Sequence, residues 1–429
     1  MNPILGRRQV LLGGLAGIAA IGVGLTACGS DDGGGESGGG AGTKLQFFLS
    51  GDANQGGGYA HMAAKYKEET GVEVEVVDVA NDDLKTKLTN AALADDLPAL
   101  ARVGSVDPTW KDATVDLREI AEAYDVRTDL AVVDEDGKVI SLPSDITAVG
   151  LFLNKSLFDA AGVTFPTTED AIWSWDEFVA SVKQVQAATG ASYGMVMDRT
   201  SHRLNAFLYQ FGSNGFQADD SNEFQTNDAT KTALEYFYGL NDDSFMPRSV
   251  WLSDGDANAL FKSGDVVSYY SGSWQIADFA VNIADFEWVS VYMPQQPVRA
   301  TNYGNAASVV VFEGDDQDAA YAFVDWLYRP ENYTELSETS GFLPAEEGLT
   351  IAYASNAESF NVYNEEIAAS DPIVAEVKAD SLRMEELGVA FEGDPVRDET
   401  IKYLNNEQDV DTTLANIKAQ MTEALQAAL

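Results

Sequence analysis

Chemistry in a protein cleft needs either a reactive side chain with a partner or surfaces that grip, and reactive pairs are scarce in this chain. His61 and His202 are the only histidines and lie far apart, and Cys28 is the only cysteine. No HExxH motif and no cysteine pair offers a zinc site, and no cofactor-binding motif is present. Gly35-Glu36-Ser37-Gly38-Gly39 has the form of a nucleophile elbow, yet no strand precedes it and no helix follows, so the match is chance. Two carboxylates suffice to hydrolyse a glycoside, and with 69 acidic residues counting does not dismiss them.

Residues suited to gripping are plentiful. Flat aromatic faces hold C–H surfaces, and planar polar side chains answer hydroxyls, which must be hydrogen-bonded once buried. Trp274 follows the apolar run 266–270 at its carboxyl end, Tyr270 lies inside that run, and Trp251 and Trp110 read as loop residues. Trp175 and Trp326 read as core. Asp52, Asp107 and Asp145 each stand at or just past a predicted strand end. Arg199 and Arg203 flank the loop after the run 193–197 in a chain poor in arginine. Against each stands a plain structural role: a solvated carboxylate, or an arginine in an exposed ion pair worth little.

These residues need elements to place them. The run 45–49 is a short strand, 59–70 has helical spacing, 72–79 alternates as a strand with one wet face, 82–94 is a helix capped by Asn81, and 97–103 is a third strand. That βαβαβ order implies a parallel sheet, with ligands expected beyond its carboxyl strand ends, at 50–54 and 105–110. The glycines at 51 and 56–58 lack a following Lys-Ser or Lys-Thr, so they are a permissive turn rather than a phosphate cradle. Residues 142–163 read as a buried strand running into a helix that stops at Gly162, where the chain is expected to cross from one lobe to another. Beyond it, helices are expected from Ser174 or Asp176 to about Gly190, from Asn227 to Leu240, over 256–263, over 318–328 and over 411–428. Strands are expected at 193–197, 266–270, 287–293 and 306–312.

The first 27 residues read as an export signal, with Arg7 and Arg8 before an uncharged stretch and small residues before Cys28. Leu25-Thr26-Ala27-Cys28 resembles a lipobox, which implies lipidation of Cys28 and anchoring on the outer face of the cell membrane. The arginine pair also resembles a twin-arginine signal, though Val10 stands where phenylalanine is usual. Residues 28–43 are a glycine-rich tether. A single cysteine excludes an intramolecular disulfide, so stability must come from a large core. The formal charge of −43 argues against nucleic acid and against adhesion to anionic lipid. With 45% hydrophobic residues the 429-residue chain is globular and long enough for two lobes.

At Phe261-Lys262-Ser263-Gly264-Asp265 through Gly272-Ser273-Trp274 the sequence resembles the extracellular solute-binding proteins of ABC importers, the family of maltose-binding protein. Leu151-Phe152-Leu153-Asn154-Lys155, Trp175-Asp176-Glu177-Phe178, the late helix from Tyr321 to Leu327 and Gly341-Phe342-Leu343-Pro344-Ala345 resemble that family's other motifs, in its order. Tyr303-Gly304-Asn305 departs from it, standing where many sugar binders have Gly-Gly, and offers Tyr303 or Asn305 as side-chain contacts.

The resemblance implies an α/β, two-lobed periplasmic-binding-protein-like fold with a ligand cleft between lobes. It implies about three interlobe crossings, near 146–149, 301–303 and 329–332. The lobes would be 44–147 plus 303–330 and 148–302 plus 331–429. It implies a monomer that is not an enzyme, closing on a carbohydrate, an oligosaccharide above all, and passing it to an ABC permease. The family's matching tryptophan often stacks on ligand, which favours Trp274. A non-sugar solute such as a polyol phosphate or other anion, held by Arg199 and Arg203, is the alternative on the same fold. A surface adhesin or sensory lipoprotein is the alternative from another class.

Overall fold

The computed structural model describes residues 44–54, 56–305, 307–353 and 355–429. The expected signal, Cys28 and the tether lie outside the described residues. Apolar β1 (Lys44–Leu49) leads through a single 3-10 turn into α1 (Gly58–Thr70), then β2 (Glu73–Asp78), α2 (Asn81–Leu93) and β3 (Leu100–Val103). Asn81 is inside α2, and the cap position falls on Ala80. The short α3 (Arg118–Ala123) and β4 (Leu142–Pro143) complete this part.

The nine residues of β5 (Ile146–Asn154) are all buried, as their almost uninterrupted apolar run requires. Asn154 accepts the N–H of Leu157 and caps α4 (Lys155–Ala161). A capping box of Ser174 and Glu177 starts α5 (Trp175–Thr189), which precedes β6 (Tyr193–Met197), and Thr200 caps α6 (Ser201–Gln210). The hairpin β7 (Gln217–Ala218) and β8 (Phe224–Gln225) leads to α7 (Asp228–Leu240), α8 (Arg248–Ser253) and α9 (Ala257–Lys262), the last capped by Asp256. Then come β9 (Val266–Gly272), α10 (Gln275–Asn282), β10 (Trp288–Val291), β11 (Tyr303–Asn305) and β12 (Ser308–Val311). The chain ends in α11 (Gln317–Leu327), α12 (Pro330–Ser340), α13 (Ala357–Ala368), α14 (Ile373–Glu386), α15 (Pro395–Leu404) and α16 (Val410–Ala428).

Two five-stranded arrangements result. The first has the order β2-β1-β3-β12-β4, with β1 parallel to both β2 and β3, as the βαβαβ reading requires, and β12 antiparallel. The second has the order β10-β5-β9-β6, with β11 paired to the start of β5, opposite Ile146 to Ala148. Among the described residues the chain passes between the two at Ser144-Asp145, between β11 and β12, and between α12 and α13.

That third passage lies later than the sequence reading placed it. Pro330 opens α12, but α12 packs on α1 beside the first sheet, whereas α13 packs on β10 and β5. Tyr333 of α12 is fully buried, stacks on Tyr328 at 5.2 Å, donates its hydroxyl to the Ser144 carbonyl at 2.9 Å and accepts the N–H of Ala345. These bonds tie α12 to the first passage, so the chain crosses only after Gly341. β11 likewise belongs with the second sheet rather than the first.

Candidate functional site

Parallel pairing of β6 with β9 brings the carboxyl ends of both strands side by side. From one come Asp198 to Arg203, and from the other Gly272 to Trp274, which turns directly into α10 with Trp274 at its N-cap position. Trp274 is half-buried, and its ring crosses the end of β9 so closely that a Cβ on Gly272 would lie 2.1 Å from it, an approach that needs glycine. The Arg203 guanidinium lies over the same ring at 4.3 Å, and the His202 ring is 6.0 Å away. Asp198 orients Arg203, with Nε to Oδ2 at 3.2 Å, while accepting from the Tyr269 and Ser271 hydroxyls at 2.6 and 3.0 Å.

Burial, then the charges of Arg203 and Lys378, push the His202 pKa down to about 3. Its imidazole is therefore neutral at physiological pH, with one N–H to donate and one nitrogen to accept. Among the described residues neither the His202 ring nitrogens nor Trp274 Nε1 has a hydrogen-bond partner, and Asn205 Oδ1 nearby on α6 is buried without one. An aromatic surface beside uncommitted donors and acceptors can bind a polyhydroxylated molecule.

A second feature lies between the turn after β1 and α10. A groove of about 610 Å³ is lined by Ala53 and Gly57 after β1, Ala277 and Asp278 of α10, Thr339 of α12 and Phe360 of α13. It joins the carboxyl-end loops of both sheets, the location expected for a ligand, and its size suits a small oligosaccharide or comparable molecule.

The remaining candidates from the sequence are dispersed. Asp52 is 4% exposed and accepts the N–H groups of Tyr59 and Ala60 at 2.9 and 3.1 Å, so its carboxylate holds the start of α1 and is not open to a ligand. Asp145 does not face the cleft either: it is fully buried, 2.6 Å from Arg102 Nη2, with Ser144 donating to the same oxygen. Trp251 is core, packed edge-on to Phe237 at 5.0 Å, and is not a loop platform. Tyr270 is core as well, packed near Trp175, because helices cover both faces of β9. Arg199 pairs with Asp254 at 3.0 Å.

Asp107 is half-buried beside a cavity of about 380 Å³ and binds the backbone and hydroxyl of Thr109. Burial pushes its pKa up, but the Thr109 bonds and the nearby Lys85 charge outweigh that and hold it below the ordinary value. Trp110 is buried against Phe312. Tyr303 is half-buried in β11 opposite Ala148, and Asn305 pairs through its backbone with Ile146, its side chain lying outside the described residues. Of the sequence candidates, the structure brings together Arg203 and Trp274. It adds His202, Asn205 and Lys378, for which a lone sequence gives no signal, since each reads as an ordinary polar helix residue.

Two sheets joined by three passages make an α/β, two-lobed periplasmic-binding-protein-like fold. The chain belongs to the bacterial extracellular solute-binding proteins, whose family model matches residues 61–359. A binding protein of Brucella abortus is 24% identical over 231 residues, which cover 52% of this chain and 55% of that one. The lactose-binding protein of Rhizobium radiobacter is 25% identical over 62% of this chain and 65% of its own. The chain thus matches 55% and 65% of the length of these two curated relatives. The crystal structure of a cyclic alpha-maltosyl-1,6-maltose binding protein from Arthrobacter globiformis superposes with a TM-score of 0.66 over 90% of this chain and 100% of that one, at 24% identity.

Proposed function

We propose that this protein captures a carbohydrate, an oligosaccharide above all, between its lobes and delivers it unaltered to an ABC permease, held at the outer face of the membrane by a lipid on Cys28. The observation that carries the reading is the Trp274 platform: a half-buried indole at a strand end, flanked by Arg203, neutral His202 and uncommitted polar atoms. Such a surface answers the two needs of a sugar, an apolar C–H face and a ring of hydroxyls. The lactose and cyclic maltosyl-maltose ligands of its relatives support the same class. The permease partner, the monomeric state and the absence of turnover follow the family's habit.

A glycan panel screened by thermal shift, with each mixture checked for cleavage products, tests this reading. Stabilisation without products is expected, and turnover of a bound sugar would overturn it. With a binding sugar in hand, Trp274→Ala should lose at least tenfold in affinity by calorimetry, about 1.4 kcal/mol, while its melting curve stays cooperative. Unchanged affinity in the folded variant would remove Trp274 from the site.

A further inference from the structure

In so acidic a chain, most half-buried and buried cations are paired with a carboxylate. Arg102 meets Asp145, Arg203 meets Asp198, Arg299 meets Glu366 and Glu169, Lys262 meets Asp278, and Lys65 meets Glu335. Among the described residues Lys138 and Lys418 depart from this, and so does Lys378 on α14. It is half-buried, its amine lies across β11 so closely that a Cβ on Gly304 would be 2.4 Å from Nζ, and among the described residues it has no hydrogen bond and no ion pair. The carboxylate that acts on it, Glu385, lies two turns further along α14, outside ion-pair reach, and accepts the N–H of Val106.

The surroundings of this amine deepen the contrast. The backbone links this place to the Trp274 platform: Gly304, against which the amine lies, follows Tyr303, which pairs with Ala148, the Ala148 carbonyl accepts the N–H of Ser273, and Asn302 donates its side-chain amide to the His202 carbonyl at 3.0 Å. Burial pulls the Lys378 pKa down and Glu385 restores only part of it. A partly desolvated ammonium gains from a partner, and its three donors can meet acceptors on a ligand. The result is a small cationic spot inside a molecule of formal charge −43. Long-range repulsion from that net charge is screened within about 10 Å at ordinary salt, so contact chemistry decides what binds there.

We infer that the carbohydrate taken by this site carries an anionic group, a carboxylate or a phosphate, and that Lys378 receives it beside Arg203. This rests on the carbohydrate reading above and narrows it. Lys378 is the specificity-determining residue: a neutral sugar leaves its amine unpaired, whereas an acidic one completes an ion pair in a partly desolvated setting.

Calorimetry on the full-length protein tests it with four probes: trigalacturonate, its uncharged methyl ester, maltose 1-phosphate and maltose. One acidic probe should bind at least tenfold tighter than its neutral partner, and which of the two does so separates carboxylate from phosphate. Lys378→Met should erase that preference, the acidic probe losing at least tenfold more affinity than its neutral partner, and Lys378→Arg should keep it. The melting temperature of Lys378→Met should be equal to or above that of the parent, since no pairing is lost. Equal binding of charged and neutral probes, or a Lys378→Met loss shared by both, would overturn the inference while leaving carbohydrate capture standing. Failure of all four probes to bind would count against both.

Discussion

Asp145 and Glu346 show how little the type of a residue says about its task. Asp145 sits at the first interlobe passage, yet its carboxylate neutralises Arg102 of β3 inside the protein, and its Oδ2 is buried without a partner. Burial works against the Arg102 charge, but Asp145 outweighs it and raises the guanidinium pKa. Asp145→Asn should therefore destabilise the fold by about 3 kcal/mol or more, because a buried cation is left uncompensated. The double variant Arg102→Met, Asp145→Leu should cost less than the single change, and chemical denaturation of both compares them directly. Glu346 is 5% exposed, and burial followed by the charges of Asp125 and Glu331 raises its pKa from 4.5 to about 8. Folding thus takes up a proton between those values. The contribution is complete below about 4.5 and is lost as pH rises through about 8. Glu346→Gln should melt like the parent near pH 4.5 and exceed it progressively, by on the order of 3 kcal/mol near pH 9. A constant difference across that range would place the pH dependence elsewhere.

Among the elements, α14 does the most to connect the lobes. Val374 packs with Tyr209 and Ala300 beside the second sheet, while Leu382 packs against the cluster holding Leu84 and Trp110 beside the first. At its end, Glu385 accepts the N–H of Val106, and Lys111 donates to the Glu386 carbonyl at 2.7 Å. Glu385→Ala leaves the Val106 amide without its acceptor, a loss of about 1–3 kcal/mol at that contact. Hydrogen exchange over 104–110 should then speed up by at least tenfold while β1 and β9 stay protected. If exchange there is unchanged, α14 does not hold the loop. Local sequence marked other elements well: the Gly162 stop of α4 stands where the sequence places it, and of the two candidate caps for α5, Ser174 or Asp176, Ser174 is the one used. It missed the start of α12 as first-lobe structure, because Tyr333 finds Ser144 and Ala345 only through folding.

For the molecule as a whole, the proposed capture would turn about the three passages at 144–145, between β11 and β12, and after α12. A bound sugar touched by both lobes should favour the closed form, so small-angle scattering should show a smaller radius of gyration at saturating ligand. Identical scattering with and without a calorimetrically confirmed ligand would exclude closure on binding. By itself the sequence determined the α/β class, the strand and helix order, and the family, because periodicity, caps and short motifs act over neighbouring residues. Tertiary structure alone decided which strand-end residues are buried or paired and which are left open. Tyr270 lies opposite Leu151 in a strand covered on both faces, Asp145 finds Arg102 across the first lobe, and Lys378 reaches Gly304 from a helix late in the chain. Register, burial and charge pairing between distant segments are properties of the assembled molecule, and no local pattern encodes them.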